Sequence, residues 1–186
     1  MLKQLPNSLT FLRLLLAVPI GLLILREQFE LALWLGALAG LTDALDGYLA
    51  RKLDAYSRLG AILDPIADKT MVTSIFTSLA AIGILPWYLA ITVVARDLII
   101  VCGAGLYHLL IGRFEFAPTL LSKANLTVQI VFCVLVLAQL VFAFPPDVVM
   151  QAGQTLVLFL AVASGSQYVY LWTLKAMRQG DSGHSG

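Results

Sequence analysis

Charge is scarce in this chain. Only 12% of its 186 residues are Asp, Glu, Lys or Arg, and the basic and acidic side chains nearly cancel, to a formal +1. A balance so even supplies no field to gather nucleic acid, so no nucleic-acid partner is expected. Cysteine is scarce as well: two in 186 residues cannot staple a disulfide framework. Hydrophobic residues make up 60% of the chain and the mean hydropathy is +0.89, against about 45–50% apolar and about 25% charged in soluble domains. A soluble fold of this length has no interior large enough for that much apolar surface. The same abundance excludes a disordered or collagen-like chain. The sequence therefore predicts an all-α integral membrane protein.

Apolar runs of about 20 residues, each the length that crosses about 30 Å of hydrocarbon, number six: 8–25, 30–50, 60–83, 87–111, 119–144 and 148–174. The polar cluster Arg26 to Glu30, the charged stretch Arg51 to Arg58, the breakers Gly83 to Pro86 and Phe144 to Asp147, and the link Gly112 to Pro118 separate them. Arg13 interrupts the first apolar run and no A-x-A site follows, so Met1 to Leu25 reads as a retained helix after a short N-terminal interfacial segment, with Pro6 near its start. Basic residues set the orientation. Lys3, Arg51, Lys52, Arg58, Arg113, Lys123, Lys175 and Arg178 fall on one side and only Arg26 on the other. This places both termini in the cytoplasm. Residues 1–177 form one membrane domain, and 178–186 a polar, disordered tail.

The informative residues are the charges inside the apolar runs: Arg13, Asp43, Asp46, Asp64, Asp68, Lys69, Arg96 and Asp97. A charge at mid-bilayer costs about 2.5–3.5 kcal/mol even on the gentlest scale, so such residues line polar or wet sites. Asp43, Asp46, Gly47 and Ala50 follow i, i+3, i+4, i+7 and share one helix face, and Gly60, Asp64 and Asp68 recur every four residues on another. An antiparallel hairpin through the Arg51 to Arg58 link brings the two faces together near the cytoplasmic surface. Clustered carboxylates without Cys or His are hard oxygen ligands, suited to Mg²⁺ or Mn²⁺. Gly47, Ala50 and Gly60 leave room for a bulky ligand, although small residues also serve plain helix packing. Arg51 offers a forked donor to a phosphate. Metal, small residues and arginine together suggest a nucleotide diphosphate. A cation channel or carrier also uses intramembrane acids and is the rival reading. Pro65, inside the third run, is a kink or a first-turn residue.

The pattern Asp43-x2-Asp46-Gly47-x2-Ala50-Arg51-x8-Gly60-x3-Asp64-x3-Asp68 resembles the full signature of the CDP-alcohol phosphotransferases. The stretch Pro6-Asn7-Ser8-Leu9-Thr10-x2-Arg13 is similar to that family's first-helix opening, which brings in Asn7, Thr10 and Arg13. The resemblance implies a six-span membrane transferase with a CDP-linked lipid donor, CDP-diacylglycerol. It implies two divalent ions held by Asp43, Asp46, Asp64 and Asp68 on the CDP pyrophosphate, with Asp68 also the general base. It implies CDP binding by Asp43, Asp46, Gly47, Ala50, Arg51 and Gly60, and a homodimer; the expected location is a bacterial inner membrane.

The acceptor is either a polar alcohol phosphate, such as glycerol 3-phosphate, or a lipid, phosphatidylglycerol, which needs one phosphate anchor and a lateral opening for its tails. Arg96 and Lys123 are the candidate acceptor-phosphate residues. For Arg96 the competing role is an ion pair with Asp97 or with another helix, the pair with Asp97 disfavoured because adjacent helical residues face different ways; for Lys123 it is an interfacial, topology-setting lysine. The stretches Val94 to Ile100 and Pro118 to Gln129 look like those of CMP-forming cardiolipin synthases. They favour phosphatidylglycerol as acceptor and cardiolipin as product over a phosphatidylglycerophosphate synthase.

Overall fold

A computed structural model describes the backbone of residues 5–53, 58–110 and 119–182, and the side chains at 12, 14–42, 67–103, 105 and 119–173. Among the described residues the regular structure is helical: α1 (Leu5–Leu25), α2 (Phe29–Leu53), α3 (Arg58–Ala81), α4 (Trp87–Leu110), α5 (Leu120–Phe142) and α6 (Asp147–Ser182). Each helix covers one of the six apolar runs. Two segments, Leu120–Phe142 and Asp147–Thr173, are long and apolar enough to cross a membrane, and the shorter apolar segments Leu14–Leu25 and Phe29–Thr42 lie in α1 and α2. The outward face is itself apolar. Leu15, Val18 and Leu22 on α1, Trp34 and Leu38 on α2, and Val148, Phe159 and Val162 on α6 are all exposed, a surface that suits hydrocarbon and would be a liability in water.

Residues with positive φ close three of the helices: Glu27 after α1, Gly83 after α3 and Ala143 after α5, whose N–H returns to the Gln139 carbonyl. Thr119 caps the start of α5 by accepting from the Ser122 N–H at 3.2 Å. Pro65 stands at the eighth position of α3, past the first turn, so of its two expected roles the interior one holds, and its missing N–H costs the helix one bond. One boundary differs: α6 continues through Ser182, taking in residues 178–182, which the sequence assigns to the tail. Ala176 to Gln179 are good helix formers that carry it past the charged boundary. Residues 183–186 lie outside the described ones.

Helix α3 is central. It packs on α1, α4 and α5, while α6 rests on α4 and α5 and α2 on α1 and α5. The core joins Ile20 and Ile24 of α1 to Val72, Phe76 and Leu79 of α3, Leu89 and Val93 of α4, Phe132 and Val136 of α5, and Val157 of α6. Glycines set the close approaches. A Cβ on Gly21 would come 2.5 Å from Ser74 Oγ, the hydroxyl that donates to the Ala17 carbonyl and ties α3 to α1. A Cβ on Gly103 would collide with the Trp172 ring, and one on Gly153 would lie 2.7 Å from the ring of Phe132, which is held in turn against Phe76. Gly105 meets nothing within 4 Å. Gly153→Leu is therefore expected to lower the thermal midpoint of the detergent-solubilised protein, by an overpacking cost of about 1–3 kcal/mol. Gly105→Leu, measured in parallel, should leave the midpoint unchanged or slightly raised.

Candidate functional site

The carboxylate motif starts from helix geometry. Residues 43–53 and 58–68 are helical, so the i, i+3, i+4, i+7 and i, i+4 spacings do place Asp43, Asp46, Gly47 and Ala50 on one stripe of α2, and Gly60, Asp64 and Asp68 on one stripe of α3. The side chains of Asp43, Asp46, Ala50, Arg51 and Asp64, with Gly47 and Gly60, lie outside the described ones, as do those of Asn7, Thr10 and Arg13 on α1. Of the four acids, Asp68 is the one whose side chain is described. It is partly buried and borders a cavity of about 300 Å³ enclosed by α2, α3 and α5, with Gly36, Ala37 and Gly40 on the α2 wall and Cys133, Val134 and Leu137 on the α5 wall. Gly36, Gly40, Asp43 and Gly47 are spaced 4, 3 and 4 residues apart. The α2 wall that faces the Asp68 cavity is thus the lower end of the stripe that carries Asp43 and Gly47. Below Asp68 the cavity is lined by hydrocarbon: Met71, Val72 and Ile75 from α3, Ile130 from α5 and Leu33 from α2.

Behind Asp68 lies a buried ionic cluster. Asp97 of α4 takes Lys69 of α3 at 3.3 Å and also pairs with Arg96. Arg96, only 4% exposed, goes on to donate through Nη2 to Ser122 of α5 at 2.6 Å and to Ser164 of α6 at 2.7 Å. The guanidinium therefore links three helices. This corrects the expectation that Arg96 does not pair with Asp97: the side chain is long enough to bend round the helix, and burial without a counter-charge would cost more than the bend. Its path is open because Gly165 lies opposite, where a Cβ would come 3.5 Å from Arg96 Cγ. Lys123, the other expected acceptor residue, is exposed in the first turn of α5 beside Ser122. The structure does not bring it to Arg96's cluster, and it lines neither this cavity nor the groove between α4 and α6 described next.

That groove, of about 700 Å³, runs between α4 and α6, with Arg96 and Gly165 in its wall. It shares no lining residue with the Asp68 cavity.

Asn125 and Gln129, one turn apart on α5, are 0% and 1% exposed, and both Asn125 amide atoms and Gln129 Nε2 lack a partner, as does Arg96 Nε. The sequence reading singled out neither amide. The available signal was two polar residues at i, i+4 inside an otherwise apolar run, in register with Ser122. Among the described residues no three His, Cys, Asp or Glu side chains gather to hold a metal. The chemistry of the donor set, four carboxylates with no soft ligand on two helical stripes, suits a hard divalent cation.

Residues 3–168 match the family described as CDP-alcohol phosphatidyltransferase. A human protein named cardiolipin synthase (CMP-forming) is 32% identical over 181 residues, covering 89% of this chain and 60% of that protein. A Bacillus subtilis CDP-diacylglycerol–glycerol-3-phosphate 3-phosphatidyltransferase is 30% identical over 183 residues, covering 89% of this chain and 93% of its own length. A probable phosphatidylglycerophosphate synthase of Mycobacterium tuberculosis is 38% identical over 104 residues, 52% of this chain and 49% of that protein. The chain thus spans about 60% of the human relative's length. The family match favours the reading as an enzyme over the rival reading as a channel or carrier. The chain belongs to the CDP-alcohol phosphatidyltransferase family.

Proposed function

We propose that the chain transfers the phosphatidyl group of CDP-diacylglycerol to phosphatidylglycerol, giving cardiolipin and CMP. The observation that carries the donor half is the Asp68 cavity, where a carboxylate stands above hydrocarbon walls and opposite the stripe that bears Asp43 and Gly47. A donor with a pyrophosphate head and two acyl chains needs polar groups above and apolar groups below. The acceptor half is supported by the relatives named cardiolipin synthase (CMP-forming).

Asp43, Asp46, Asp64 and Asp68 would hold Mg²⁺ or Mn²⁺, two ions in this reading, whose positive charge neutralises the pyrophosphate and eases departure of CMP. Gly47, Ala50 and Gly60 leave space for the cytidine nucleotide, and Arg51 donates to a phosphate. Asn7, Thr10 and Arg13 on α1 make up the first-helix motif of this reading. Asp68 accepts the proton of the acceptor hydroxyl as its oxygen attacks the lipid-linked phosphorus. The bond from that phosphorus to the bridging oxygen breaks, and CMP departs with the electron pair. Arg96 anchors the acceptor phosphate, with Lys123 at the cytoplasmic rim. Six spans, cytoplasmic termini, a bacterial inner membrane and a homodimer belong to this reading.

A second reading, phosphatidylglycerophosphate synthesis from glycerol 3-phosphate, is favoured by the Bacillus subtilis relative, of which this chain covers 93%. Offered both acceptors with CDP-diacylglycerol and Mg²⁺ or Mn²⁺, the purified protein is expected to form cardiolipin and CMP. Phosphatidylglycerophosphate as the only product would replace the acceptor. Asp68→Asn is expected to cut CMP release by about 10²-fold or more, with an unchanged elution profile on size exclusion. Undiminished turnover would remove Asp68 as the base.

A further inference from the structure

The groove between α4 and α6 has no role in the donor half of the reaction. Its flanks are hydrocarbon, with Ile91 and Ile99 on α4 and Val162 and Val169 on α6. Gly165 leaves the floor low, and Arg96 forms part of the wall. A volume of about 700 Å³ is in the range of sites that take a ligand of considerable size, far more than a three-carbon phosphate fills. Arg96 is buried, and its Nε has no partner, so the guanidinium is not fully satisfied by the protein. Its only described carboxylate partner, Asp97, is shared with Lys69, so two cations divide one anion. Cationic excess at the wall and hydrocarbon along the flanks complement a molecule that is anionic at its head and apolar in its tails.

We propose that this groove seats the acceptor phosphatidylglycerol, admitted sideways from the bilayer, with its phosphodiester on Arg96 and an acyl chain between α4 and α6. The inference rests on the reading of the acceptor given above. It separates the two lipids: the donor lies in the α2–α3–α5 cavity and the acceptor enters between α4 and α6. The ion pairs connect the two places, running from Arg96 through Asp97 to Lys69, the residue that follows Asp68.

The test uses the full chain in phosphatidylcholine nanodiscs and a phosphatidylglycerol carrying a photoreactive diazirine in one acyl chain. Labelling is expected on peptides containing Ile91 to Ile99 and Val162 to Val169, suppressed by added phosphatidylglycerol and not by further phosphatidylcholine. Val162 is 55% exposed and outside the core, so Val162→Trp fills the groove with little threat to folding. It is expected to raise the KM for phosphatidylglycerol about tenfold while the KM for CDP-diacylglycerol stays within about twofold. If the wild-type protein makes no cardiolipin, the acceptor reading falls and this inference with it. If it makes cardiolipin, but the label sits elsewhere or Val162→Trp leaves the acceptor KM unchanged, the inference alone is overturned.

Discussion

A charge placed inside an apolar helix has to be answered by another charge, and that requirement organises this molecule. Asp97 is answered twice, by Lys69 and Arg96, and Arg96 is answered again by Ser122 and Ser164. These contacts join α3, α4, α5 and α6 at the level of Asp68, where an unpaired ion would cost several kcal/mol. Asp97 and Arg96 each keep a partner when one contact opens, so the charges stay paired. The cluster therefore sets two cations around Asp97 beside the turn of α3 that carries Asp68.

Packing supplies the rigidity that such a cluster needs. Gly21 lets α1 lie on α3, Gly103 lets α6 bring Trp172 onto α4, and Gly153 lets Phe132 settle between α5 and α6. Small residues perform the opposite task elsewhere. Gly36 and Gly40 face a cavity where added Cβ atoms would touch nothing within 4 Å. Small residues thus close one set of interfaces and hold another open, and the open one is the one that Asp68 borders.

The helices were legible because their signal is crude: apolar runs bounded by Gly, Pro and charge predict six elements, and six helices occupy those runs. Their ends were less so. The run of α6 to Ser182 reflects local propensity, which an apolar-run reading ignores. The carboxylate stripes were legible as spacing, since a helix turns Asp43-x2-Asp46-Gly47 and Asp64-x3-Asp68 into faces whatever their surroundings. The partner of Arg96 was not. Adjacent residues on a helix point apart at Cβ, and only the depth of burial and the reach of the guanidinium make the pair with Asp97 form. The buried amides of Asn125 and Gln129 were hidden for a related reason: one-dimensional spacing says that they share a face, and only packing shows that the face looks inward.

The account depends on α2 and α3 turning their acids into one metal-bearing pocket, and manganese electron paramagnetic resonance on the purified chain with CDP-diacylglycerol tests this most directly. Two Mn²⁺ ions held by a shared set of carboxylates should give the spectrum of a magnetically coupled pair, lost in Asp64→Asn. A spectrum of isolated ions unchanged by that substitution, or no bound manganese, would contradict it.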